Sequence, residues 1–258
     1  MTALFALNPN MISHTLIDGH NDIVMVFWML SAFYFIQSKE FLWAASAATF
    51  ATLTKFTSVV LLPVLSAAIF LDAQMTTGKK IKLVTAAAGI FIALTVLFYK
   101  PFWVGMQTVG YFATFSTWFA SNSVPYAVSA LLARAGLVLP NASVKNFFNL
   151  FFAVNSALAL LWLARRKERS LRDVARVIAW MFVAMYLSYT IPFYGHHLLW
   201  AFPFLILADL PKPLVWTTLY TAAGLFFYFK RLSVLFMAAL ALYGCFLIYE
   251  RTRRRGHA

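Results

Sequence analysis

Nine apolar runs occupy most of the chain, at residues 23–36, 41–54, 56–71, 81–99, 147–164, 174–192, 197–208, 214–229 and 232–249. No soluble domain buries that many consecutive greasy segments, and repeated runs of near-spanning length define the polytopic membrane class. Composition agrees: 62% of the 258 residues are hydrophobic and only 11% are charged, against about 25% charged in a soluble domain. Several runs fall short of the roughly 20 residues a straight crossing needs. The expectation is therefore an all-α, polytopic bundle of about nine transmembrane or re-entrant helices, forming one integral membrane domain over residues 1–258.

A net charge of +13 would suggest nucleic acid in a soluble chain. Here the cations sit between apolar runs, so they read as topogenic and no nucleic-acid partner is expected. The strongest clusters are 79–82, 165–172 and the basic tail within 250–258, which the positive-inside rule assigns to the cytoplasm together with the C-terminus. Threading nine crossings through these anchors puts 15 of the 21 Lys and Arg inside. Only Lys230-Arg231 works against the rule. The first Lys or Arg is Lys39, so residues 1–22 lack the basic start of a secretory signal. Met1–Leu7 instead reads as the end of a hydrophobic helix, and the chain as the C-terminal portion of something longer.

Between the fourth and fifth runs, residues 100–146 form an external segment too aromatic for a plain linker. Within it, 109–120 and 124–137 read as amphipathic helices lying on the membrane surface, with Arg134 snorkelling. Asn141-Ala142-Ser143 is formally a glycosylation sequon, and chance accounts for it. The single cysteine, Cys245, lies in an apolar run and forms no internal disulfide.

Chemistry concentrates on the external side. Of eight acids, only Asp18 and Asp22 fall there, and of five histidines, four do: His14, His20, His196 and His197. Asn8 to Asp22 is the one stretch where acids, histidines, amides, a proline and a glycine crowd together, and it forms an external motif loop over residues 1–22. Asn21 or Asp22 can simply cap the first full helix, where the helix dipole favours an acid. A cap needs one residue, however, and several polar types precede this run. Lys55 interrupts two closely spaced apolar runs, which costs about 2.5 kcal/mol or more at mid-membrane unless it snorkels or pairs. It reads either as an interfacial anchor or as a cation facing a phosphate. Tyr194-Gly195-His196-His197 is either an interfacial turn or part of the same external site. A metal needs at least three converging ligands. His20, His196, His197 and Asp22 could supply them, but nothing in their spacing brings them together, so no metal or other cofactor is predicted.

Asn8-Pro9, Ile12 and Gly19-His20-Asn21-Asp22, followed by the small-residue run ending Leu53-Thr54-Lys55 and by Leu61-Leu62-Pro63, carry a resemblance. They are similar to blocks of the polytopic GT-C-type glycosyltransferases, nearest to the bacterial polyprenyl-phosphate-mannose-dependent alpha-mannosyltransferase family. The later pattern Tyr189, Pro192, Tyr194, His197, Trp200, Pro203 resembles the C-terminal membrane segments of that family. This resemblance implies transfer of a sugar, mannose in the nearest group, from a polyprenyl-phosphate donor to a glycan or glycolipid hydroxyl outside the bacterial plasma membrane. In its terms Asp22 and His20 are the catalytic candidates. Asn8, Asn21, Lys55, Tyr194, His196 and His197 are the substrate-binding ones, Lys55 with a histidine neutralising the lipid phosphate. Such enzymes usually carry an acid taken as the catalytic base on an earlier external loop, and this chain starts after that point. Two other classes share the external cations: a transporter or flippase of a lipid-linked substrate, and a non-catalytic assembly subunit. A lipid-pyrophosphate-dependent oligosaccharide ligase would share the fold type.

Overall fold

A computed structural model describes residues 21–108, 110, 123–166, 170–188 and 195–208. Among them there is no strand, and eight α-helices of six or more residues follow in order: α1 (Asp22–Gln37), α2 (Phe41–Thr54), α3 (Leu61–Leu71), α4 (Thr77–Tyr99), α5 (Val124–Arg134), α6 (Asn141–Arg165), α7 (Leu171–Ser188) and α8 (Phe202–Leu207). The chain is all-helical over these residues. The runs at 214–229 and 232–249 lie outside them, as does residue 109–120 apart from 110.

α1 buries Met25, Val26, Met29, Ala32, Phe33 and Ile36, a stripe recurring at helical spacing. Against it α2 sets Ala44, Ala45, Ala47, Ala48 and Ala51, all nearly inaccessible. Small side chains let two helix backbones approach closely, and α1 and α2 pack extensively against each other. Their hairpin turns at Lys39, whose φ of 59° is the left-handed conformation that ends helices. The Glu40 N–H closes the turn by donating to the Phe35 carbonyl at 2.9 Å. α7 completes the core with Val174, Ala175, Val177, Ile178, Met181, Phe182 and Met185, and α8 adds Phe202 and Phe204. Phe204 meets Phe33 edge-on at 5.9 Å.

Among the described residues two helices are long and apolar enough to cross a membrane, Thr77–Phe102 and Asn141–Arg165. At 1.5 Å per residue each reaches roughly 37–39 Å. α4 buries no residue at all and presents Ile92, Val96, Leu97 and Phe98 outward. Both helices start earlier than their apolar runs. α4 begins at Thr77 because the Thr76 hydroxyl accepts from the Lys79 N–H at 3.4 Å, and α6 begins directly after Pro140. The third run divides into a 3₁₀ segment, Phe56–Val60, and α3. α5 stops at Arg134, short of residue 137. Gly136 turns there with φ of 85°, and the Leu137 N–H donates back to the Leu132 carbonyl at 2.9 Å.

The antiparallel order sorts the polar groups to two ends. One end gathers Lys39, Asp72, Gln74 and Lys80, and also the start of α7, since Gln37, Ser170, Arg172 and Leu207 line one depression there. Lys39 Nζ lies 3.1 Å from Asp72 Oδ2 and 2.8 Å from Gln74 Oε1. Burial pushes the Asp72 carboxyl up, but the Gln74 backbone N–H and the Lys39 ammonium outweigh it, with Lys80 adding further, and hold it below the usual carboxylate range. An acid lowered on folding stabilises the native state above its unfolded value, and that stability is lost as pH falls through the lowered folded value. The thermal midpoint gap between wild type and Lys39→Ala in detergent is therefore expected at neutral pH and to shrink below about pH 4. A gap that stays constant down to about pH 3 would contradict the pairing.

Candidate functional site

The other end holds Asp22, Lys55 and Trp200. Asn21 precedes α1 and its carbonyl accepts from the Val24 and Met25 N–H groups, but its side chain does not cap the helix. It donates instead to the Thr54 carbonyl at 3.4 Å. Asp22 is no cap either. It is the first residue of α1 and is completely buried, with the helix dipole favouring its negative charge. Capping therefore does not account for this acid.

Lys55 is turned toward it by local structure. α2 ends where Lys55 becomes extended, with φ of −155° and ψ of 119°. Its carbonyl is then held by Ser58, through the backbone N–H and the hydroxyl, at 3.1 Å each. This break points the ammonium inward, and Lys55 Nζ lies 2.8 Å from Asp22 Oδ1. The side chain keeps 26% of its surface exposed while Asp22 keeps none. Lys55 thus pairs with a buried acid and does not snorkel.

The second donor comes from far along the chain. Trp200, fully buried, donates its indole N–H to the same Asp22 Oδ1. Its ring also lies 4.9 Å beneath the Lys55 ammonium, a cation–π arrangement. The 3₁₀ segment Gly195–Trp200 carries it. His197, buried, packs its ring 4.6 Å from Trp200. Tyr186 of α7 donates its hydroxyl to the His197 carbonyl at 2.5 Å and accepts from the Ala201 N–H at 3.1 Å.

With Oδ1 taken twice, Asp22 Oδ2 is buried and has no hydrogen-bond partner among the described residues. A buried carboxylate oxygen left open is costly to maintain. Chemically it is a lone-pair acceptor beside a cation, able to accept a hydrogen bond from a hydroxyl. The neighbouring Lys55 ammonium balances the charge.

Among the sequence candidates the structure brings together Asp22, Asn21, Lys55 and His197. Asn8, His20 and Tyr194 lie outside the described residues, and so does the His196 side chain. No three His, Cys, Asp or Glu side chains converge among the described residues. Sequence reasoning did not single out Trp200 and Tyr186 as site residues. The available signal was chemical: an indole N–H or phenol in an apolar run must find a partner.

One comparison bears on the family. Residues 1–71 match the family model of the alpha-(1->6)-mannopyranosyltransferase N-terminal domain, MptA_B family. The chain resembles that mannosyltransferase family. No curated protein and no solved structure matches the chain. The mannosyltransferase match contains Asp22 and Lys55, whereas Tyr186, His197 and Trp200 fall outside it. The candidate site is thus assembled by the matched stretch and a later part of the chain that folds back onto it.

Proposed function

We propose that this protein is an integral membrane glycosyltransferase of the GT-C type. It transfers a sugar, mannose, from a polyprenyl-phosphate donor to an acceptor hydroxyl on the extracytoplasmic face. The buried Asp22 carboxylate, held on one oxygen and without a hydrogen-bond partner on the other among the described residues, carries the reading, and the mannosyltransferase resemblance of residues 1–71 supports it. The collection of cations at the opposite end of the bundle favours an external Asp22.

In this reading Asp22 Oδ2 accepts the hydrogen bond of the acceptor hydroxyl and takes its proton as the oxygen attacks the anomeric carbon. The bond from that carbon to the phosphate oxygen breaks, and its electron pair leaves with the polyprenyl phosphate. Protonated Asp22 no longer needs its counter-charge, so the Lys55 ammonium turns to the phosphate as negative charge builds there. Asn21, with His20 and Asn8, binds sugar hydroxyls. His196, His197 and Tyr194 border the phosphate, and the aromatic segment at 100–146 guides the prenyl chain.

The test is a donor comparison in lipid nanodiscs holding the full chain. Labelled mannose is expected to pass to acceptor from polyprenyl-phosphate-mannose and not from a nucleotide-linked mannose. Equal transfer from the nucleotide sugar, without a lipid intermediate, would contradict the proposal.

A further inference from the structure

A carboxylate held by a single flexible lysine can rotate and exchange its two oxygens. Asp22 is held from two directions, and the second donor has little freedom. Trp200 is fully buried, with rings of His197 at 4.6 Å, Tyr186 at 5.9 Å and Phe182 at 6.2 Å around it. The hydroxyl of Tyr186 binds the backbone on both sides of Trp200, at His197 and at Ala201. A short 3₁₀ turn is a weak support on its own, so this double clamp fixes where the indole N–H points.

We propose that Trp200, locked by Tyr186, is a positioning residue that fixes the plane of the Asp22 carboxylate and leaves Oδ2 as the oxygen that accepts the substrate hydroxyl. A Trp donor buried for packing alone could use any backbone carbonyl. Here it is spent on an acid 178 positions away, on the same oxygen that already takes the lysine. The kinetic consequence rests on the transferase reading above, while the fixed geometry stands apart from it.

Two readouts keep these separate. With the full chain in nanodiscs, Trp200→Phe, which keeps an aromatic ring but removes the donor, is expected to lower kcat about tenfold or more, since small misplacements of a reacting group carry such penalties. KM should stay within about twofold, as substrate contacts are unchanged. Tyr186→Phe should change kcat in the same direction by less. An unchanged kcat in Trp200→Phe, or a rise in KM alone, would overturn the proposal. Independently of turnover, ¹⁵N-indole spectra of the wild type should contain a Trp200 N–H resonance that moves in Asp22→Asn and in Tyr186→Phe. A resonance indifferent to both would refute the clamp even if transfer were intact. Should the wild type transfer no sugar, the transferase reading fails while the resonance still decides the geometry. If Trp200→Phe fails to fold, Tyr186→Phe, which removes one hydroxyl, supplies both the kinetic and the spectral answer.

Discussion

Asp22→Asn should lower sugar transfer by about 10²–10⁴-fold, the span typical of removing a general base. The amide keeps the shape of the carboxylate and can still accept from Trp200, so packing around α1 should survive. Stability should change little, because Lys55, with 26% of its side chain exposed, can swing its ammonium to water once its partner is neutral. The loss should appear in kcat more than in KM. Single-turnover transfer from the lipid donor measures it directly, and near wild-type turnover would remove Asp22 from the chemistry.

Lys55→Ala should behave differently because the two partners are unequally placed. Asp22 has no exposed surface and cannot escape to solvent. Removing its cation strands a buried charge, and breaking such pairs from one side costs about 3–5 kcal/mol. Equilibrium unfolding in mild detergent should therefore show Lys55→Ala much less stable than Asp22→Asn. Trp200 would still donate one hydrogen bond, which offsets part of the loss. On the proposed role of Lys55 at the donor phosphate, transfer should fall too. Equal stabilities for the two variants would mean that the pair is not buried as described.

Much of the bundle was legible because it rests on local rules. α2 coincides with its apolar run at 41–54 and α1 extends one residue beyond its run at each end. Asp22 and Lys55 stood out because a charge beside an apolar run needs a reason. Their meeting was not legible. It depends on the Lys39 turn, which brings α2 back along α1, and on the extended break at Lys55. Trp200 was hidden further, since nothing local tells residue 200 that its indole faces residue 22. Hydropathy also misplaced the starts of α4 and α6, where Thr76-Thr77-Gly78 and Asn141-Ala142-Ser143 are polar yet helical or capping.

The central claim is that the Asp22–Lys55 pair serves chemistry beyond holding α1 and α2 together. The double variant Asp22→Asn/Lys55→Met separates the two roles. Replacing both partners removes the stranded charge, and such swaps are often neutral or stabilising. Unfolding stability is expected to return close to wild type while transfer from polyprenyl-phosphate-mannose remains about 10²-fold or more below it. Recovery of transfer together with stability would show that the pair is only a structural link.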